Sequence, residues 1–378
     1  MYCGPVMAPA AAPFLGVSPA AVGYFVTAAY IGSMIGTATA GGWVARFGPI
    51  RVSQAGMLLC GCGLAVAASG ALPAVVAGAL LIGLGYGPAT PASSVILARA
   101  APPGRLALTF SIKQTGVPLG TAIAGATVPS LVLALGWQGA ALAIGVACAL
   151  FGVGIFPLSK KYDSDRNRAA PVSLRSAFAP VLLVMRHRRI MLLAATSLVY
   201  AGVQITLVAY LVAFITESFA LSLVVAGMVM AASQLASVAG RILWGVAADR
   251  LLSRRAVLGL LGVGMGVTAL FGLGAGPHWP LWALFVFAAA LGATAVGWNG
   301  VFLAELSRLA PPGRIGDVTG GSSFFTFLGV VVTPPLFHFV LGLTSSYGVT
   351  YALFGLPALA VGTMLLLTSG IARDERYV

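Results

Sequence analysis

Charge is what this 378-residue sequence has least of: only 8% of its residues are Asp, Glu, Lys or Arg, against roughly 25% in a soluble domain. A water-soluble fold cannot cover its surface with so few. Acids are the scarcest, eight against 21 Lys and Arg, which leaves a net charge of +13 at neutral pH. That imbalance would suit nucleic acid if the cations gathered on one solvated face, but they sit in short loops between apolar runs, which argues against such a partner. The four cysteines, Cys3, Cys60, Cys62 and Cys148, all lie in apolar segments, and two positions apart on a helix Cys60 and Cys62 point to different faces. Neither a disulfide framework nor a metal site follows. There is no His-Glu-x-x-His, no Gly-x-Ser-x-Gly and no His, Cys and carboxylate group within a helix turn. An enzyme, a metal and a cofactor are therefore not expected.

What the chain has in abundance is hydrophobic residues, 59% of the total, in long runs of the kind that need about 20 residues to cross a bilayer as a helix. Read against their Gly, Pro and charge punctuation, the runs predict spans near 19–43, 53–69, 73–98, 106–134 and 139–157, then 190–216, 221–246, 256–274, 279–305, 316–342 and 349–371. Alternate loops hold the cations: Arg46 and Arg51, Arg99 and Arg105, eight between Lys160 and Arg189, then Arg250, Arg254 and Arg255, Arg308 and Arg314, Arg373 and Arg376. Nineteen of the 21 fall on one side, which the positive-inside rule assigns to the cytoplasm of a bacterial inner membrane. The two exceptions, Lys113 and Arg241, lie inside helices.

The chain also repeats itself. Arg-Ala-Ala-Pro-Pro-Gly-Arg at 99–105 returns as Arg-Leu-Ala-Pro-Pro-Gly-Arg at 308–314, a shift of 209, and Gly41 to Arg51 returns as Gly245 to Arg255, a shift of 204. Two matches at nearly one offset predict a duplicated all-α membrane protein: a six-helix bundle over 1–157, a basic cytoplasmic linker over 158–189 and a second bundle over 190–378. On that register residues 1–16 are the outer part of a truncated first helix, so that 11 full helices and a partial one are expected, with some 14 or more residues upstream of the given start. The competing reading is eleven helices with an outside N-terminus.

The repeated loops bring a family into view. The chain resembles the major facilitator superfamily, whose signature between helices 2 and 3, and more faintly between 8 and 9, reads G-x-L-A-D-R-x-G-R-R. The copy at Gly245-Val-Ala-Ala-Asp249-Arg250 keeps the glycine, the acid and the basic cluster, while the copy at Gly41-Gly-Trp-Val-Ala45-Arg46-Phe-Gly48 has alanine in place of the aspartate. The resemblance implies two pseudo-symmetric bundles and gating loops in which that aspartate sits against a helix N-terminus, a favourable place for an anion. Gly41, Arg46, Gly48, Gly245, Asp249 and Arg250 are thus expected to act in gating, with Asp317 facing Arg46 to supply the charge Ala45 lacks. Ala79, four before Gly83, stands where proton-coupled members often have arginine, so the coupling partner, a proton or an exchanged anion, stays open.

A charge near the middle of a membrane helix costs about 2.5 kcal/mol or more, so it faces a cavity or a partner. Lys113 follows Arg105 by eight residues and Arg241 precedes Asp249 by eight, which puts each roughly 12 Å in from the cytoplasmic end. No acid in the helix interiors matches them. The resemblance implies that their helices are neighbours, and the place of Arg241 is similar to that of the helix 8 arginine that binds the substrate carboxylate in monocarboxylate transporters and in oxalate/formate exchange. Two readings of Arg241 stand: a carboxylate fork, or a structural brace that snorkels or pairs with Asp249 and loop carbonyls. Gln114 beside Lys113, Gln234 on the face of Arg241, and Tyr86, Tyr200, Gln204, Trp298 and Asn299, on helices that line the cavity in the family, complete the candidate substrate site. Each also has a packing reading, because polar side chains commonly bond across membrane helices. The function expected is alternating-access transport of a small anionic solute, with the bilayer as surroundings and a monomer as the working unit. The alternative is an efflux pump for drugs or other hydrophobic compounds, whose cavity would be aromatic and would not need Lys113 and Arg241.

Overall fold

The structure, a computed structural model, describes residues 3–17, 22–170, 178–221, 223–276 and 278–369. Residues 171–177 of the linker, the start of the span expected at 19–43, and Arg373 and Arg376 lie outside them. Every regular element among the described residues is helical, as it must be where no water is present to satisfy the backbone.

In chain order the helices are α1 (Cys3–Phe14), α2 (Val22–Phe47), α3 (Pro49–Ala67), α4 (Leu72–Tyr86), α5 (Ala89–Ala100), α6 (Leu106–Gln114), α7 (Gly116–Gly154), α8 (Ser159–Tyr162) and α9 (Ala179–Arg186). They continue as α10 (Arg188–Phe219), α11 (Leu223–Arg250), α12 (Arg254–Phe271), α13 (Leu281–Ala295), α14 (Asn299–Leu309), α15 (Ile315–Thr344) and α16 (Tyr347–Ser369). Nine stretches among the described residues are long and apolar enough to cross a membrane. The longest, Leu106–Tyr162, turns back at Gly136, whose φ of 70° suits a residue without Cβ.

Three of the expected spans are broken rather than continuous. Span 73–98 is interrupted at Gly87-Pro88 between α4 and α5, span 106–134 at Thr115 between α6 and α7, and span 279–305 at Val296–Trp298 between α13 and α14. Gly87 and Val296 are separated by the same 209 residues as the repeated loops, so both copies interrupt the same helix at the same place.

Contacts group the chain into two compact units. One comprises Met1–Ala100, Val117–Met191 and Leu309–Phe327; the other comprises Ala101–Gly116, Leu192–Arg308 and Leu328–Val378. In the first, α2 and α4 approach so closely that a Cβ on Gly83 would strike the carbonyl of Ala29, the small-residue contact on which membrane helices rely in the absence of a hydrophobic driving force. Met7, Leu64, Ile82, Val128 and Ala141 form a core between α1, α3, α4 and α7. In the second unit α12 packs along α16, and Gly292 of α13 lies on the Ser233 carbonyl of α11. An aromatic core joins Phe214, Phe287, Phe337 and Tyr351, and the hydroxyl of Tyr210 donates to the carbonyl of Pro334 at 2.9 Å. That bond lies at the Pro334-Pro335 interruption within α15.

Two buried carboxylates cap helices. Asp163 accepts from the backbone N–H of Ile50 at 2.9 Å and Arg51 at 3.2 Å at the start of α3. Asp249 accepts from Ala107 at 3.0 Å and Leu108 at 2.8 Å at the start of α6. Each answers N–H groups that have no intrahelical partner and sits at the positive end of the helix dipole. The sequence Asp163-Ser-Asp165 reads as a solvated linker pair, but Asp163 is buried on α3 and Asp165 pairs with Arg99. Gly48, with φ 92°, lets the backbone pass close to the Asp163 carboxylate.

Candidate functional site

The second unit gathers most of the expected substrate residues around two broken helices. Helix α6 lies against α11 and α14 because Gly245 and Gly300 leave room: a Cβ on Gly300 would come within 2.6 Å of the Ser111 nitrogen, and one on Gly245 within 3.1 Å of the Leu108 Cα. With Asp249 capping the start of α6, the end of that helix is carried to Arg241, one turn before Gly245 on α11.

There the chain runs out of helix. Gln114 is the last residue of α6 and Val296 follows the last residue of α13, so their carbonyls lie at helix C-termini. Arg241 takes both: its Nε donates to the carbonyl of Val296 at 3.0 Å and its Nη1 to the carbonyl of Gln114. Arg241 is 2% exposed, and its guanidinium lies on the negative ends of two helix dipoles. Lys113, half-buried, donates from Nζ to the side-chain Oε1 of Gln114 at 2.9 Å. One residue, Gln114, therefore joins both intramembrane cations. Among the described residues no ion pair involves Lys113.

The break in the α13–α14 span also carries Trp298 and Asn299. Trp298 Nε1 donates to Gln204 Oε1 at 3.2 Å, and Asn299 Nδ2 donates to the same oxygen at 3.1 Å. The network thus runs from Lys113 through Gln114, Arg241 and the Val296–Asn299 segment to Gln204 on α10.

Other candidates have different surroundings. Tyr200 is fully buried, its hydroxyl donating to the carbonyl of Leu258 at 2.8 Å and its ring edge-on to Trp298 at 5.9 Å, so it supports the site from behind. Gln234 donates to Ser233 Oγ at 3.4 Å along its own helix. Tyr86 belongs to the first unit, at that unit's own helix break, in a cluster with Phe327 at 6.3 Å; Tyr30 lies 5.9 Å from the same ring. Of the gating candidates, Asp317 lies over Gly41 and pairs with Arg314 at 2.8 Å, while Arg46 lies over the ring of Phe47. Asp249 also pairs with Arg254 at 3.5 Å, and Arg250 ends α11 exposed.

The sequence suggests carbonyl partners for Arg241 but not that they are those of Val296 and Gln114, and it does not show the cap at Asp163. Gly116 and Gly297, each beside a break, were the available signal. The first unit contains a separate cavity of about 560 Å³ with an apolar lining that includes Met7, Phe25, Ile31, Leu64, Val75 and Trp137. Among the described residues no three of His, Cys, Asp and Glu cluster as metal ligands would.

Comparison with known proteins agrees with this architecture. The profile of the Major Facilitator Superfamily matches residues 1–334 and 192–376. A curated relative, the 4-hydroxybenzoate transporter PcaK of Pseudomonas aeruginosa, is 30% identical over 179 residues; the match spans 46% of this chain and 40% of that protein. Among solved structures, the E. coli fucose:proton symporter FucP superposes with a TM-score of 0.74 at 17% identity, over 97% of this chain and 96% of its own. The proton:xylose symporter XylE gives 0.69 at 16%, over 97% and 93%. The human organic anion transporter MFSD10 gives 0.68 at 17%, over 96% and 89%.

Proposed function

Because the chain belongs to the major facilitator superfamily, we propose that it is a secondary transporter that carries a small organic carboxylate across the membrane by alternating access. The observation that carries the reading is the meeting of Lys113 and Arg241 on Gln114 beside two broken helices. One of those two breaks, at Val296, has an equivalent at Gly87 in the other repeat, and interruptions at corresponding places point to a transporter binding site; cations inside apolar helices call for an anionic visitor. Lys113 supplies the accessible positive charge for the carboxylate, and Arg241, held on two helix ends, adds to the positive field around it. The name of one relative, a 4-hydroxybenzoate transporter, points the same way. The moving bodies are the bundles 1–157 and 190–378, joined by the linker 158–189, with the Lys- and Arg-rich loops in the cytoplasm and one chain as the working unit.

The test is uptake into proteoliposomes. Labelled 4-hydroxybenzoate or benzoate should enter, compete with other carboxylates and not with benzamide, and fail to enter with Lys113→Ala. Uptake that ignores the charge of the competitor, or persists in that variant, would overturn the reading. Beyond the passive entry of the neutral acid seen in protein-free vesicles, an imposed pH gradient across vesicles without internal substrate adds uptake only if a proton is the coupling ion; exchange with a preloaded anion marks the other mode. The apolar cavity of the first unit favours a second reading, export of hydrophobic compounds. It predicts stabilisation by lipophilic cations unaffected by Lys113→Ala.

A further inference from the structure

We propose that Gln204 and Asn299 form a recognition site for a hydroxyl group on the carried anion, an inference that rests on the carboxylate reading above. An indole N–H can only donate, so Trp298 fixes which end of the Gln204 amide is oxygen. Asn299 Nδ2 donates to that same oxygen and occupies its second lone pair. What the pair presents outward is then determined: two N–H donors on Gln204 Nε2 and an acceptor on Asn299 Oδ1.

Among the described residues neither of these atoms meets a partner, and neither is sealed from solvent. An amide pair serving only to pack helices would satisfy its polar atoms within the protein. This one does so on its inner side alone. Its orientation is rigid, because Trp298 is fully buried between Tyr200 and Phe302.

A donor beside an acceptor is the complement of a hydroxyl, which gives one hydrogen and takes another. An ether oxygen would use only the donor, and an apolar group would leave both amide atoms desolvated and unsatisfied. Asn299 follows Val296, whose carbonyl holds Arg241, by three residues, a separation of at most about 10 Å along the backbone. A molecule of one ring can therefore place a carboxylate toward the cations and a hydroxyl toward the amides.

The experiment measures binding to the purified full chain in lipid nanodiscs, using benzoate, 3- and 4-hydroxybenzoate and the matching methoxybenzoates, with butyrate and 4-hydroxybutyrate for an aliphatic skeleton. One hydroxy acid should bind roughly tenfold more tightly than its unsubstituted and methoxy counterparts. Gln204→Met and, separately, Asn299→Ala should shrink that advantage, taken as the ratio of the two affinities within each variant, to about twofold or less. Two variants guard against one that fails to fold. Equal affinity of the unmodified protein for hydroxy and parent acids, or a preference that survives both substitutions, would overturn the inference and leave the carboxylate reading standing. Parent-acid binding that is absent, or indifferent to Lys113→Ala, would instead overturn the carboxylate reading and this inference with it.

Discussion

Arg241 and Lys113 carry the same charge and meet on one glutamine, yet their surroundings divide the work between them. The guanidinium of Arg241 commits Nε and Nη1 to the carbonyls of Val296 and Gln114, so it fastens the ends of two broken helices. Arg241→Ala strands both carbonyls in a buried place, and bonds to a charged group are worth about 1.5–3 kcal/mol each. A loss of roughly 3 kcal/mol or more is expected, visible as a lower melting temperature of the ligand-free protein in detergent. Lys113 holds only a neighbouring side-chain amide and keeps part of its surface accessible. Lys113→Ala should change ligand-free stability by less than about 1 kcal/mol and abolish stabilisation by carboxylates. Equal stability losses in the two variants would mean that both cations are braces. The charges themselves were legible in the sequence, because two of 21 cations fall inside apolar runs. Which carbonyls answer Arg241 was not, since a main-chain acceptor becomes available only where a helix stops, and the breaks at Thr115 and Val296 are not marked.

Elements fail and hold at their ends. Breaks at Gly87, Thr115 and Val296 turn three spans into six helices, and in a chain with 49 glycines no single glycine advertises such a break. The 209-residue offset does so in hindsight, pairing Gly87-Pro88 with Val296-Gly297. Caps were equally hidden: Asp163 lies in a polar linker, 113 residues from the Ile50 N–H that it accepts. Removing an N-terminal cap costs about 0.5–2 kcal/mol, so Asp163→Ala should lower the melting temperature through α3 while leaving carboxylate affinity unchanged. Asp249→Ala should do both. Its carboxylate holds the start of α6, and the other end of that short helix delivers Lys113 and Gln114 to Arg241. A carboxylate affinity untouched by Asp249→Ala would separate the cap from the site.

At the scale of the whole molecule, hydropathy and loop charge were enough to place the spans, because about 20 apolar residues are needed for each crossing and cations resist translocation. The grouping by contact was not legible: the duplication divides the chain at the linker, whereas Ala101–Gly116 packs with the second unit and Leu309–Phe327 with the first. Each of these segments contains most of one copy of the Pro-Pro-Gly-Arg loop and the helical start that follows it. Sequence similarity reports common origin, and contact reports where a segment is held. The positive-inside rule assigns an orientation from charge alone and yields a prediction independent of any substrate. Single cysteines at Ser164 in the linker and at Gly313, in a background with the four native cysteines replaced, should react with a membrane-impermeant maleimide only after inside-out vesicles are made. Cysteines at Gly70 and Ser345, in loops without Lys or Arg, should react in intact cells. One inverted segment would exchange these sets over part of the chain. A uniform exchange would place the 19 loop cations outside and overturn the positive-inside assignment on which the depth of Lys113 and Arg241 was reckoned.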